Sequence, residues 1–262
     1  MLCYPDRRSA LRAGAAVAAG ALTAACGASG RTDPAPTAPT SAAAPSPAKA
    51  PAVAPAPHRF PGQPVEIGHG PRDRPRVALT FHGNGDPATA RAILAEAEKG
   101  GARVTVLAIG SWLDAHPEMA RRILDGGHEL GNHTQRHLAV NAMPEAEAYA
   151  EITQCAQRLK RLTGSIGSWF RPSQTRYATP LVRTLAQRAG YPHVLSYDVD
   201  SLDFTSPGAA AVIRTVTGTI RSGSVVSLHF GYADTVAAMP PLLEELARRK
   251  LRAVTTTELL TP

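Results

Sequence analysis

Short apolar runs alternate with longer amphipathic stretches from residue 76 to the end of the 262-residue chain. The runs have the length and the Val and Leu content of buried strands, and the stretches between them have the apolar periodicity of helices. Strands and helices that alternate at this interval indicate βαβ units and a parallel sheet. We therefore expect one α/β domain over residues 64–262, built as an irregular (β/α)7-type barrel. A doubly wound open sheet is the alternative.

The expected strands cover 77–81, 104–108, 128–131, 169–170, 193–197, 225–228 and 251–255. The expected helices cover 87–99, 117–124, 144–162, 180–189, 208–221 and 240–250. Gly-rich phosphate-binding loops are typical of nucleotide sites, and none follows the first of these strands. This counts against a nucleotide-binding fold.

The first 26 residues have the features of an export signal. Arg7 and Arg8 resemble a twin-arginine signal, although a general secretory signal fits nearly as well. The apolar run 13–25 is too short to cross a bilayer comfortably. Small residues precede Cys26, as in lipoproteins whose Cys carries lipid. A plain cleavage before Cys26 is the alternative, so we expect either a lipoprotein on the outer face of the cytoplasmic membrane or a secreted protein.

Residues 27–63 consist mainly of Ala, Pro, Ser and Thr, a composition that cannot bury a core, and they are predicted to form a disordered linker. Of three cysteines only Cys155 lies in the predicted domain, which excludes a disulfide within it. The formal net charge is +7, but no basic run is interleaved with aromatic residues, so nucleic acid is not an expected partner. We expect a monomer.

Reactive side chains follow several of the predicted strands. The set comprises His82, Asp86, His133, His137, Arg171, Asp203 and His229. In a β/α barrel the loops after the strands carry the catalytic groups, because the carboxyl ends of all parallel strands meet at one face. Imidazole is the commonest metal ligand among side chains, and His133 and His137 are spaced so that both rings can reach one centre. The pattern predicts a catalytic mouth that holds a metal.

Five short motifs occur in the order and spacing of the polysaccharide deacetylase (NodB-homology) family, which this chain resembles. They are Thr80-Phe81, Gly131-Asn132-His133-Thr134-x-x-His137, Phe170-Arg171-Pro172, Asp203-Phe204 and Leu228-His229. The resemblance covers residues 76–260 and implies removal of N-acetyl groups from amino sugars of chitin-like or peptidoglycan-like polymers. It also implies a divalent metal, usually zinc, that is bound by two His and one Asp.

The resemblance assigns a role to most of these side chains. His133 and His137 become metal ligands, and His229 becomes the general acid that protonates the leaving amine. Asp203 would hold the ring of His229, and Arg171 would pair with the catalytic base. An N-acetylated glycan is the implied substrate.

The first motif departs from the family. The family has Thr-Phe-Asp-Asp-Gly-Pro, in which one Asp is the base and the next a metal ligand, whereas this chain has Thr-Phe-His82-Gly83-Asn-Gly-Asp86-Pro. In one interpretation Asp86 returns to the metal across a longer loop, and His82 serves as base or extra ligand. In the other, Asp86 only caps the next helix, and the protein is a catalytically impaired, glycan-binding lipoprotein. A metal-dependent hydrolase of another amide or ester is a third hypothesis. We favour an active deacetylase.

Overall fold

The computed structural model describes residues 53–262 of the chain. The predicted signal segment 1–26, the lipid attachment at Cys26 and most of the linker predicted at 27–63 lie outside the described residues. Within 53–262, no helix is both long and apolar enough to pass through a bilayer.

The described chain contains eight strands and eight α-helices, which are interspersed along the sequence. The strands are β1 (Glu66–Ile67), β2 (Arg76–Gly83), β3 (Thr105–Ala108), β4 (Glu129–Asn132), β5 (Val194–Leu195), β6 (Val199–Asp200), β7 (Val225–His229) and β8 (Arg252–Ala253). The helices are α1 (Pro87–Lys99), α2 (Gly110–Ala115), α3 (Glu118–Asp125), α4 (Glu145–Thr163), α5 (Pro180–Arg188), α6 (Ala209–Thr219), α7 (Ala233–Arg248) and α8 (Thr256–Leu260).

The strands pair in parallel in the order β4-β3-β2-β7-β6, with β8 beside the start of β2. Beyond β4 the parallel pairing continues through Phe170, a single bridge residue that pairs with Asn132 of β4 and with Val194 of β5. β5 pairs in turn with β1. Seven consecutive parallel pairings result, from β1 to β6, and the predicted irregular α/β barrel is confirmed. The fourth predicted strand is reduced to the bridge at Phe170.

The central strand β2 places its carboxyl end at the middle of the mouth. Its residues 77–81 are fully buried, and it pairs with β3 on one side and β7 on the other. α1 begins at Pro87, at the first helical position that proline favours, and α4 ends at Gly164, which adopts the left-handed conformation common after helices. Both boundaries lie within one residue of those predicted from the sequence.

α7 begins at Ala233, ahead of the start predicted at Pro240. Proline is common at the start of helices, but here Pro240 and Pro241 lie inside one. Proline in a helix interior removes a hydrogen bond, and the buried side chains on both sides of the pair, including Ala238 and Leu242, keep the helix packed against the core.

Residues 53–63 pack against the domain, although the sequence assigned them to the linker. Ala54 and Phe60 are buried, and the Phe60 ring stacks on Trp169 with a centroid distance of 5.6 Å. The backbone N–H of Phe60 donates a hydrogen bond to Nε2 of His193 at 3.0 Å. The packed region therefore begins before the boundary predicted at residue 64.

Candidate metal centre and catalytic mouth

His82 and His229 are direct neighbours across the sheet at the carboxyl ends of β2 and β7. The parallel register pairs the two residues, so both side chains point to the same face. His133 comes immediately after β4, which lies two strands from β2 on the side opposite β7. The ring centroid of His82 lies 4.3 Å from that of His133 and 4.3 Å from that of His229. The strand order alone thus assembles three imidazoles.

A tight turn brings His137 back to His133. Thr134 and His137 adopt left-handed backbone conformations, with φ of 67° and 58°. The side chain of Asn132 accepts a hydrogen bond from the Thr134 N–H at 2.9 Å, and the Thr134 hydroxyl accepts one from the His137 N–H at 3.2 Å. These local bonds offset the cost of an unusual backbone for residues with a Cβ. The two rings lie 4.9 Å apart.

His82, His133 and His137 form a group in which one ring nitrogen of each lies within 4.8 Å of the others. His133 is completely buried, and its Nδ1 lies 3.0 Å from the carbonyl oxygen of Arg171, to which it donates. Its Nε2 is buried and has no hydrogen-bond partner among residues 53–262. An orphaned lone pair of this kind is a cost unless a ligand uses it. The donor set therefore fits a divalent metal.

Burial keeps these imidazoles in the neutral form that binds metals. Loss of hydration lowers the pKa of His82 and of His133 well below the ordinary value, and the neighbouring His and Arg171 charges lower both further. Burial and, next, His229 also lower the pKa of His137. Three neutral nitrogens are the ligand set of one well-known class of catalytic zinc site.

Ser227 contacts His82 from the neighbouring strand. Its hydroxyl lies 3.2 Å from Nε2 of His82, and the residue is buried in β7. Nδ1 of His82 has no hydrogen-bond partner within the described part of the chain. No sequence signal indicated this contact, because a Ser on a buried strand is common.

Asp203 fixes the ring of His229, as the sequence led us to expect. Its carboxylate is buried and accepts hydrogen bonds from Nδ1 of His229 at 2.7 Å, from the His229 N–H at 2.8 Å and from the Thr235 hydroxyl at 2.6 Å. Burial alone would raise the pKa of Asp203, but the bonds from His229 and Thr235 outweigh it and hold the pKa below the ordinary value. Because Nδ1 is bonded to Asp203, Nε2 is the nitrogen of His229 that is available to a ligand in the mouth.

Arg171 was expected to pair with the catalytic base, but among the described residues it forms no hydrogen bond with His82 and no ion pair with a carboxylate. Its Nε donates to the Leu195 carbonyl at 3.1 Å, and one terminal nitrogen donates to the Thr80 hydroxyl at 2.9 Å and the Ser196 carbonyl at 3.1 Å. The side chain is fully buried, and burial lowers its pKa to about 10. In this chain His82 occupies the position of the family's acid, and the hydrogen bonds of Arg171 connect β2 with β5 instead.

Asp86 does not join the histidine group, and the expectation that it returns to the metal is not met. Its carboxylate accepts hydrogen bonds from the Thr89 N–H at 2.9 Å and the Thr89 hydroxyl at 3.0 Å, and so caps α1. The preceding loop is fixed elsewhere: Gly85, with φ of 97°, packs so closely on Gly231 that a Cβ would lie 2.6 Å from the Gly231 Cα. The indole N–H of Trp112 also donates to the Gly85 carbonyl at 2.8 Å.

Gly83 occupies the position of the family's ligand Asp. β2 continues through Gly83 and pairs it with Ala108 of β3. A Cβ at this position would lie 2.9 Å from the Ala108 Cα and 2.9 Å from a Val106 methyl group. No room for a side chain exists there in this backbone, so the third ligand has to come from another residue, and His82 is present.

Two cavities flank the imidazoles of the mouth, and His82, His137 and His229 line both. The first has a volume of about 280 Å³ and continues between Gly85 and Tyr232. The second, of about 370 Å³, is also lined by Gln174, Thr175, Arg176, Tyr197, Asp200, Phe204 and Ser227. Sequence reasoning missed Arg176, Tyr197 and Ser227, which belong to no motif.

Comparison with known proteins gives a family match and several relatives. The family model for polysaccharide deacetylase matches residues 69–194, which include His82, His133, His137 and Arg171. A peptidoglycan-N-acetylglucosamine deacetylase of Bacillus cereus is 31% identical over 194 residues, which cover 72% of this chain and 90% of the relative. A chitooligosaccharide deacetylase of a Bradyrhizobium species is 28% identical, with coverages of 66% and 85%.

Solved structures show the same fold. A CE4 family pseudoenzyme from Bacillus anthracis matches with a TM-score of 0.72 and 22% identity over 76% of this chain and 70% of that one. A family 4 carbohydrate esterase from Streptomyces lividans matches with a TM-score of 0.63 and 25% identity, over 68% and 91% of the two chains. With this fold, the family match and nine-tenths of the B. cereus deacetylase covered at 31% identity, the chain belongs to the polysaccharide deacetylase family.

Proposed function

We propose that the protein is a metal-dependent hydrolase that removes N-acetyl groups from an amino-sugar polymer. One observation carries the proposal: three neutral imidazoles with converging nitrogens lie beside a fourth imidazole that a buried carboxylate holds in place. The first group suits a divalent metal, and the second suits proton transfer. Relatives named for deacetylation of peptidoglycan and of chitooligosaccharides support this reaction and this substrate class.

His82, His133 and His137 would hold the metal. A zinc ion held there would supply Lewis acidity to polarise an acetyl carbonyl and to activate a water molecule. His133 offers Nε2 because its Nδ1 is bonded to the Arg171 carbonyl, and His82 offers Nδ1 because Ser227 contacts its Nε2. The metal ligands proposed for this chain are therefore three histidines rather than the two His and one Asp of the family pattern.

His229 would carry the proton. Nε2 of the neutral ring accepts a proton from the attacking water, and the same nitrogen then donates it to the amide nitrogen as the C–N bond breaks. The products are acetate and the free amine of the sugar. Asp203 stabilises the charged ring between these two steps and keeps Nδ1 as the donor to its carboxylate. One histidine thus serves as base and acid, which removes the need for an acid residue at position 82.

Phe204 gives the mouth an apolar face for a sugar ring. Its side chain is 44% exposed, although it is large and apolar, and its ring lies 5.3 Å from that of His229 with an interplanar angle of 65°. Aromatic side chains offer large contact area at low entropic cost, and this one lies next to the proton carrier. A sugar on Phe204 would place its N-acetyl group near His229.

We place the reaction outside the cytoplasm, in the cell envelope. The support is the export signal predicted at 1–26 and the lipid attachment predicted at Cys26. Metabolic labelling with a radioactive fatty acid tests the anchor, because a Cys26→Ser variant should lose the label and be released from membranes. Label that persists in the variant would contradict the anchor.

The activity test measures acetate released from N-acetylglucosamine oligomers and from purified peptidoglycan by the full chain, with and without added zinc. We expect zinc-dependent release that is lost in His133→Ala and in His229→Ala, while only His133→Ala loses bound zinc. A folded protein that releases no acetate with any divalent metal would refute the deacetylase proposal. Glycan retained by such a protein, and by its His133→Ala variant, would instead support the glycan-binding alternative, which the loss of both first-motif carboxylates favours.

A further inference from the structure

Arg176 is held in one position at the edge of the mouth. Its guanidinium carbon lies 5.1 Å from the ring centroid of Tyr177 and 5.1 Å from that of Tyr197. Its Nε donates to the Tyr197 carbonyl at 3.0 Å, and its own carbonyl accepts a hydrogen bond from the Ser196 hydroxyl at 2.8 Å. Stacking and hydrogen bonding restrict the rotamers of a side chain that is otherwise costly to order. The charge is therefore in place before a ligand arrives.

The outer edge of this guanidinium is unused. Within residues 53–262, no carboxylate lies within 4.0 Å of Arg176, and Nε makes its one side-chain hydrogen bond. Eleven other arginines of the same region form ion pairs. Both terminal nitrogens of Arg176 remain available as donors, in the fork geometry that matches a carboxylate.

Arg176 faces the same cavity of about 370 Å³ as His82, His137 and His229. Asp200 also lines it, but its carboxylate accepts hydrogen bonds from the Tyr197 hydroxyl at 3.4 Å and the Leu202 N–H at 3.2 Å. Arg171 lies 5.4 Å from the Tyr197 ring and has no ion-pair partner among the described residues. Two guanidinium groups thus act near one carboxylate, and this side of the mouth favours an anion.

We propose that Arg176 binds a carboxylate of the substrate, so that the enzyme prefers acidic N-acetylated amino sugars to neutral ones. The acid is carried either by the sugar that is deacetylated, as in a sugar with a lactyl ether, or by the next sugar of the chain. This inference rests on the proposed function, since it places the N-acetyl group at the imidazoles. It names the substrate class that the rest of the mouth leaves open.

The test compares two versions of one glycan. Peptide-free strands of alternating N-acetylglucosamine and N-acetylmuramic acid carry one carboxylate per disaccharide, and conversion of these groups to methylamides removes the charge alone. For the zinc-loaded full chain we expect KM for the acidic strands to be about tenfold lower than for the amidated ones, as a charged hydrogen-bonded pair predicts. The difference in KM should shrink with added salt.

Variants assign the preference to one side chain. Arg176→Gln should bring the KM ratio of the two glycans to about one, Arg176→Lys should keep part of the preference, and Arg121→Gln, on the outer face of α3, should leave the ratio unchanged. Equal KM values in the unmodified protein, or a preference that survives in Arg176→Gln, would overturn the inference. If Arg176→Gln does not fold, the KM ratio of the lysine variant and the salt dependence of that ratio decide whether Arg176 sets the preference.

A binding measurement separates this inference from the proposed function. Calorimetric titration of both glycans into the zinc-loaded protein reports the carboxylate preference even when no acetate is released. Tighter binding of the acidic strands without acetate release would refute the deacetylase and keep the subsite. Acetate release with equal binding of the two glycans would support the deacetylase proposal and refute the carboxylate subsite at Arg176.

Discussion

Ser227 lies 3.2 Å from Nε2 of His82 through its hydroxyl oxygen, on the strand that also carries His229. The contact engages one nitrogen of an imidazole that occupies an acid position of the family. Groups that hold a ligating histidine from behind orient the ring and increase its affinity for metal. Ser227 is therefore placed to support the proposed metal centre from the strand that carries His229, the proposed proton carrier.

Ser227→Ala should weaken metal binding. Without the hydroxyl the His82 ring is free to turn, and loss of such a partner typically costs about tenfold or more in affinity. Titration of the metal-free protein with zinc against a competing chelator measures the effect. Ser222→Ala, near the other end of β7, is the matched control, and an unchanged zinc affinity in Ser227→Ala would show that the contact does not position the ligand.

Asp203→Asn should lower kcat by roughly a hundredfold or more, because a positioned acid–base contributes about 10²–10⁴ and an amide partner can select the wrong tautomer of His229. Zinc stoichiometry should stay the same, since Asp203 contacts none of the three proposed ligands. Acetate release and metal analysis on the same preparation check both statements. A parallel loss of zinc would mean that Asp203 acts on the fold rather than on His229.

Asp86→Ala should reduce stability and leave the metal in place. The substitution removes the cap of α1, and for a domain of this size that lowers Tm by about 2–4 °C. Asp86→Ser should keep most of the stability because Ser also caps helices. Thermal unfolding and zinc analysis of both variants are the measurements, and loss of zinc in Asp86→Ala would restore Asp86 as a ligand.

The metal-free protein should lose stability as the pH falls from about 7 to 5. His128 is one cause: burial is the largest influence on its pKa and lowers it, and although Glu98 raises it, the pKa remains below the ordinary value. Its Nδ1 accepts a hydrogen bond from the Val104 N–H at 3.2 Å, which only an unprotonated nitrogen can do. Below about pH 6.5 the unfolded chain takes up a proton that the folded state refuses, so the stability present above that pH is lost.

Urea unfolding at several pH values measures this loss. His128→Asn should flatten part of the dependence, since Asn does not titrate, and the difference between the two proteins isolates His128 from the other buried histidines. A pH dependence of the same slope in both proteins would exclude His128 as a contributor.

The sequence predicted those helix ends that depend on residues at the boundary itself. The Asp-Pro pair before α1 and Gly164 after α4 mark helix ends within a residue, because capping and the left-handed conformation depend on the residue itself. The two-residue strands β1 and β6 carry no periodicity and could not be predicted. The start predicted for α7 was wrong because tertiary packing holds two prolines inside the helix.

The site residues also divide into those that the predicted strand ends identified and those whose positions depend on contacts far away in sequence. The strand ends and the parallel register bring His82, His133 and His229 together, so residues after predicted strands were sufficient to find them. Asp86 was misplaced because the path of its loop depends on Gly231 and Trp112, which lie far away in sequence. Arg176 depends on two tyrosine rings whose positions only the folded chain defines.

The packing at Gly83 also bears on how such a protein can change by mutation. A single substitution that restores the family's second Asp would place its Cβ 2.9 Å from the Ala108 backbone, which cannot move aside as a side chain can. Strand β3 would first have to retreat from β2, and every intermediate sequence on that route would carry the cost of a separated pair of strands. The histidine centre is therefore separated from the family-type Asp-Asp motif by a stability barrier, and engineering that aims to exchange the two has to redesign β3 together with the loop.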